Sequence, residues 1–227
     1  MSNRLAVPYA VFTTLITAGC TSFATVRSAE VRPGPSVTAQ VASTSLVGPV
    51  AGWLWSYDCA ADCDHSIQSL DLTLSYGKRA ETPFSIGIGL NGTSGFAEGY
   101  FQLRSAERFP FGVGGRLGLP IGPAWENQVY GRLDIPMGRS AHLLWNPGVS
   151  HTSITSPNGA NHGSFVGLVQ GIGLELGSGA VTFTPSVAAV WGRAEYNNPE
   201  QHGPENRLFG MGALSVTLGR KVPRTGR

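Results

Sequence analysis

Phe111-Gly-Val-Gly-Gly-Arg-Leu-Gly-Leu119 sorts its side chains into two sets: Phe111, Val113, Gly115, Leu117 and Leu119, then Gly112, Gly114, Arg116 and Gly118. Successive side chains of an extended strand point to opposite faces, so one face here is oily and the other is glycine with one charge. A period of two over nine residues is a strand signal, not a helix signal.

The same sorting continues in both directions. Upstream, Leu70, Leu72, Leu74 and Tyr76 alternate with Asp71, Thr73 and Ser75, and Phe84, Ile86, Ile88 and Leu90 with Ser85, Gly87 and Gly89. Ala97, Gly99, Phe101 and Leu103 alternate with Glu98, Tyr100, Gln102 and Arg104. Downstream, Val129 to Ile135, Ala141 to Trp145, Leu168 to Leu176, Val181 to Trp191 and Leu214 to Leu218 repeat it, and Val37, Ala39 and Val41 make a weaker first strand. That predicts an all-β chain of about ten strands, with eight as the lower alternative. Most are longer than the roughly 5–6 residues of ordinary globular strands and suit the roughly 9–11 a tilted strand needs to cross a bilayer. Two residues resist: Pro185 lacks a ladder donor inside the ninth strand, and Gln170 breaks the oily face of the eighth.

The expected connections give a second test. They are short at Arg79–Thr82, Ser105–Arg108, Met137–Arg139 and Gly177–Gly179, and long at Leu46–His65, Val149–His162 and Asn197–Glu205. Asn91–Ser94 and Pro120–Glu126 are short to medium. Residues 35–219 therefore resemble outer-membrane β-barrel proteins, whose periplasmic turns are short and external loops longer in an up-and-down meander. The resemblance implies that both termini face the periplasm, with membrane lipid and the outer-membrane assembly machinery as partners. It also implies aromatic belts, with Tyr76, Phe84, Phe111 and Phe183 at the periplasmic ends and Trp125, Trp145, Trp191 and Phe209 at the external ends. The last strand stops at Leu218 and runs into a basic tail, 220–227, where this class commonly ends in an aromatic residue.

Composition agrees. Only 13 % of the 227 residues are charged and 31 are glycine, which disfavours helices throughout. Net charge is +2 with no basic cluster, so no nucleic-acid partner is expected. No run of 18 apolar residues marks a transmembrane helix.

The N-terminus carries Arg4, an apolar run from Leu5 to Thr17, and then Ala18-Gly19-Cys20. This is a secretory signal, expected over 1–19, with a linker over 20–34. The small pair before Cys20 resembles the lipobox of bacterial lipoproteins, implying cleavage before Cys20 and a lipid on its thiol. Thr17 stands where that family has leucine, which leaves ordinary cleavage after Ala24 open. Cys59 and Cys63 would close a small disulfide loop in an oxidising compartment; metal-ligand spacing is missing there and elsewhere, and no cofactor is expected.

Turned inward, the polar faces would place Asp71, Glu98, Arg104, Arg116, Arg132, Asp134, His142 and Glu175 in one narrow lumen. Buried charges must be paired or solvated, so an ion-paired network is expected, either a structural plug or a narrow pore. His151-Thr152-Ser153 resembles the region around the catalytic histidine and serine of outer-membrane lipid A 3-O-deacylases, which implies His151 as base and Ser153 as nucleophile. Ile154 stands where that family has asparagine, and the balance is against an enzyme. A further alternative is a lipid-anchored soluble barrel with its oily faces turned inward around an apolar ligand.

Overall fold

Each alternating segment becomes one strand. The computed structural model describes residues 25–47, 66–91, 94–104, 109–119, 124–138, 140–155, 162–177, 179–196 and 205–220. The strands are β1 (Gly34–Val47), β2 (Ser66–Lys78), β3 (Phe84–Asn91), β4 (Ser94–Arg104), β5 (Phe111–Leu119), β6 (Ala124–Pro136), β7 (Ala141–Thr155), β8 (His162–Leu176), β9 (Val181–Tyr196) and β10 (Glu205–Gly219). Each pairs antiparallel with its chain neighbours, and β1 pairs with β10, closing a ten-stranded ring. Closure gives every edge a partner, which strands surrounded by hydrocarbon require.

The oily faces point outward. Val129, Leu117 and Leu90 are 70 %, 66 % and 56 % exposed, while their neighbours Gln128, Arg116 and Asn91 are buried. The soluble alternative needs those side chains inside, and they are not. An even-stranded closed ring, apolar outside and largely polar inside, is the architecture of an outer-membrane β-barrel.

One end of the ring, here the near end, carries Gly34 and Gly219 and connections of four to six residues. At the far end, several strands run beyond their expected limits. The connection expected at Val149–His162 shrinks to 156–161, because β7 continues through Val149–Thr155 in register with β6 and β8. Those residues carry no oily alternation; cross-strand pairing, not patterning, keeps them extended. β6 likewise starts at Ala124.

The resisting residues find places. The register of β8 on β9 reaches Gly173↔Ser186 and resumes at Leu176↔Phe183, leaving Pro185 at the gap where its missing N–H is not needed. Gln170 faces outward and accepts a 2.9 Å hydrogen bond from Trp145 Nε1. Trp145 is thus the fifth residue of β7 from the near end, not an external-end aromatic, and Phe209 turns inward and is buried. Tyr76, Phe84, Phe111 and Phe183 do lie at near-end strand termini.

Candidate functional site

The lumen is occupied by the chain's own N-terminal segment. Gly34, at φ 83°, turns the chain back from the start of β1, and residues 25–33, expected as a linker, run inside the ring. A left-handed φ suits glycine, which has no Cβ to clash.

Wall residues hold this plug along its whole length. Near the rim, Arg32 Nη2 pairs with Glu175 Oε2 at 3.0 Å and donates to Thr182 Oγ1 at 2.6 Å. The Val31 N–H donates to Gln102 Oε1. Asp134 accepts from the Ala29 N–H at 2.7 Å and from Ser28 Oγ at 2.5 Å. Tyr100 donates its hydroxyl to the Ala29 carbonyl, and Asn146 Nδ2 donates to the Arg27 carbonyl. Arg27 Nη1 pairs with Glu98 Oε1 at 3.1 Å while its Nη2 reaches Thr73 Oγ1. Arg116 Nη2 donates to Thr25 Oγ1 at 3.0 Å. An apolar anchor, Val26, is 1 % exposed and presses its methyls where side chains on Gly171 and Gly173 would stand.

Glu98 is the electrostatic hub. It pairs with Arg27, with Arg132 at 3.2 Å and with Arg116 at 3.4 Å, all within the lumen. Three guanidiniums around one carboxylate need further support. Arg132 lies between the rings of Tyr100 and Tyr130, 4.5 and 4.6 Å from their centroids, and Arg116 lies 4.0 Å over Phe96. Ring faces carry negative potential and stabilise such cations once they leave water.

The wall and the plug complement each other in charge. Among the described wall residues, Asp71, Glu98, Glu126, Asp134 and Glu175 are buried against only two arginines, Arg116 and Arg132. The plug brings Arg27 and Arg32 against Glu30. Asp71 is held separately through a chain from Ser215 to Gln40 to its carboxylate. His142 stands opposite Glu175 in the register. The side chain of Arg104 and residues Cys20, Cys59 and Cys63 lie outside the described residues.

The lumen is not polar throughout. Ala42, Phe165, Val169, Ala188, Val190, Ala194, Phe209 and Met211 form an apolar cluster on the inner faces of β8, β9, β10 and β1, with Phe165 edge-on to Phe209 at 4.9 Å. Sequence reading missed this cluster because Val190 and Phe209 sit among oily residues on both faces. It missed Glu126 by assigning it to a loop, and the plug because a stretch without periodicity reads as a linker.

His151 and Ser153 share one face of β7 by strand alternation, opposite the face of Thr152. The His151 ring meets Trp125 edge-on at 5.4 Å, and Ser153 is buried across from Trp125 and Ser164 in the register. Among the described residues no hydrogen bond joins the two. Among the described residues, a cavity of about 50 Å³ lies beside the plug, between it and Glu98, Tyr100, Arg132 and Thr217.

No protein-family model matches this chain, and no curated protein matches it. It is similar in structure to Neisserial surface protein A, at 12 % identity and a TM-score of 0.41, over 84 % of this chain and 99 % of that one. Ail, the attachment invasion locus protein of Yersinia pestis, gives 11 % identity and 0.33, over 82 % and 98 %. LpxR from Salmonella typhimurium gives 10 % identity and 0.33, over 80 % and 99 %.

Proposed function

We propose that this chain is a closed, non-conducting barrel of the bacterial outer membrane that serves as a surface-presenting structural protein. Its near end faces the periplasm, where the assembly machinery receives it, and lipid surrounds its outer belt. The observation that carries this reading is the docked segment 25–33, tied to the wall at every level by hydrogen bonds and ion pairs. An open pore needs a continuous wet path; a cavity of about 50 Å³ holds only a few waters, since each takes roughly 10–15 Å³ by this measure. The apolar cluster of Phe165, Val169, Phe209 and Met211 supports it, because such a wall gives ions no polar partners.

The test is electrical. Barrels inserted in a planar bilayer, with folding verified by heat-modifiable gel migration, are expected to leave the current at background. Stable stepwise conductance from the folded wild-type protein would refute the closed reading and favour the narrow pore.

A further inference from the structure

We infer that the mature chain begins at Thr25, released by cleavage after Ala24, and that its new α-ammonium is seated among the carboxylates of the lumen. This inference rests on where the plug lies, not on whether the barrel conducts.

The plug runs deeper from Arg32 to Arg27 and is still deep at Thr25. Arg32 meets Glu175, the second-last residue of β8, and Asp134, third from the end of β6, holds Ser28 and Ala29. Arg27 reaches Thr73, five residues inside the end of β2. Thr25, 8 % exposed, is met by Arg116, the sixth residue of β5. A strand rises about 3.3 Å per residue and tilts about 40°, so five residues correspond to roughly 13 Å of depth. Thr25 therefore lies well inside the ring.

That depth conflicts with a lipid on Cys20. Four residues lie between Cys20 and Thr25, and the five steps reach at most ~18 Å. A lipid in the periplasmic leaflet would require those residues to double back through the same end and around the wall. The plug already fills that passage, and the cavity beside it is about 50 Å³. Docking of the plug therefore opposes anchoring at Cys20 in that leaflet.

Cleavage after Ala24 removes the conflict. Ser22 and Ala24 are small residues at the third and first positions before the cut, as a signal peptidase requires. Water adds across the Ala24–Thr25 amide; the carboxylate leaves with Ala24 and the ammonium stays on Thr25. The lumen holds a carboxyl group suited to it. Glu126 is 3 % exposed, and among the described residues neither carboxylate oxygen has a hydrogen-bond partner. It is the next inward position after Gln128, which pairs in register with Arg116, the residue that binds Thr25.

The experiment is N-terminal sequencing and intact mass of the full chain exported by a Gram-negative host and purified from its membranes. The expected product starts at Thr25, carries no acyl mass and is unchanged by Cys20→Ala. An acylated Cys20, or any other first residue, overturns the inference. In peptide mapping with an amine reagent near neutral pH, the Thr25 α-amine of the folded barrel is expected to label at least ten-fold more slowly than after heat unfolding. Equal labelling in both states would overturn the seating. A conducting barrel that starts at Thr25 would defeat the closed-barrel reading alone, and a silent barrel acylated at Cys20 would defeat this inference alone.

Discussion

Glu98 shows what a single buried side chain does here. It faces Arg27, Arg116 and Arg132 together, so removing its charge strands three desolvated cations. Breaking a buried pair by deleting one partner costs about 3–5 kcal/mol. Glu98→Gln is therefore expected to lower barrel stability by that order in urea titrations followed by tryptophan fluorescence. Tyr100→Phe removes only the 2.8 Å hydrogen bond to the Ala29 carbonyl and is expected to cost about 1 kcal/mol. If the two substitutions cost the same, Glu98 is not the hub described. Whether Glu98 met a partner was not readable from its own strand, because all three arginines come from elsewhere in the chain.

At the scale of strands, the inward glycines answer to inward aromatic rings on the neighbouring strand. A Cβ on Gly114 would stand 2.6 Å from the Tyr130 ring, one on Gly112 2.2 Å from the Tyr100 hydroxyl, and one on Gly89 2.4 Å from Phe96. The outward Gly99 has nothing within 4 Å. Overpacking costs about 1–3 kcal/mol, so Gly114→Ala should destabilise by that amount while Gly99→Ala stays near neutral in the same titration. Equal effects would mean the rings can move aside. The plug is tested in the same way. Gly171→Leu fills the space of the Val26 methyls, which stand 2.7 Å from a Cβ there. In a cysteine-free background carrying Ala29→Cys, a maleimide reagent is expected to label slowly, because Ala29 is fully buried, and rapidly once Gly171→Leu is added. Heat-modifiable migration should persist in both, since the ring does not depend on the plug for its strand pairing.

The whole molecule is a ring with three materials: an oily belt, a charged lumen on one side and an apolar cluster on the other. The belt predicts a depth-dependent penalty. Ile88, mid-strand and 63 % exposed, should cost about 2–4 kcal/mol when changed to arginine in barrels folded into lipid vesicles, whereas Tyr76→Arg near the rim should cost roughly 0–1 kcal/mol. If Ile88→Arg folds as readily as Tyr76→Arg, that face does not meet hydrocarbon. The plug offsets part of the wall's excess of acidic groups, because Arg27 and Arg32 enter a lumen with more buried carboxylates than guanidiniums.

Period-two alternation by itself determined the number of strands, their outward faces and most of the inward charges, because pleat geometry assigns alternate residues to opposite sides whatever they pack against. It also implied closure, since strands this oily on one face cannot leave an edge unpaired in lipid. Only the tertiary structure decided that residues 25–33 lie inside the ring, that Phe209 and Val190 join an internal cluster, and that Glu98 gathers three arginines. Those outcomes depend on which side chains the ring brings together across the lumen. Contacts between residues 71 or 106 positions apart leave no period in the sequence to read.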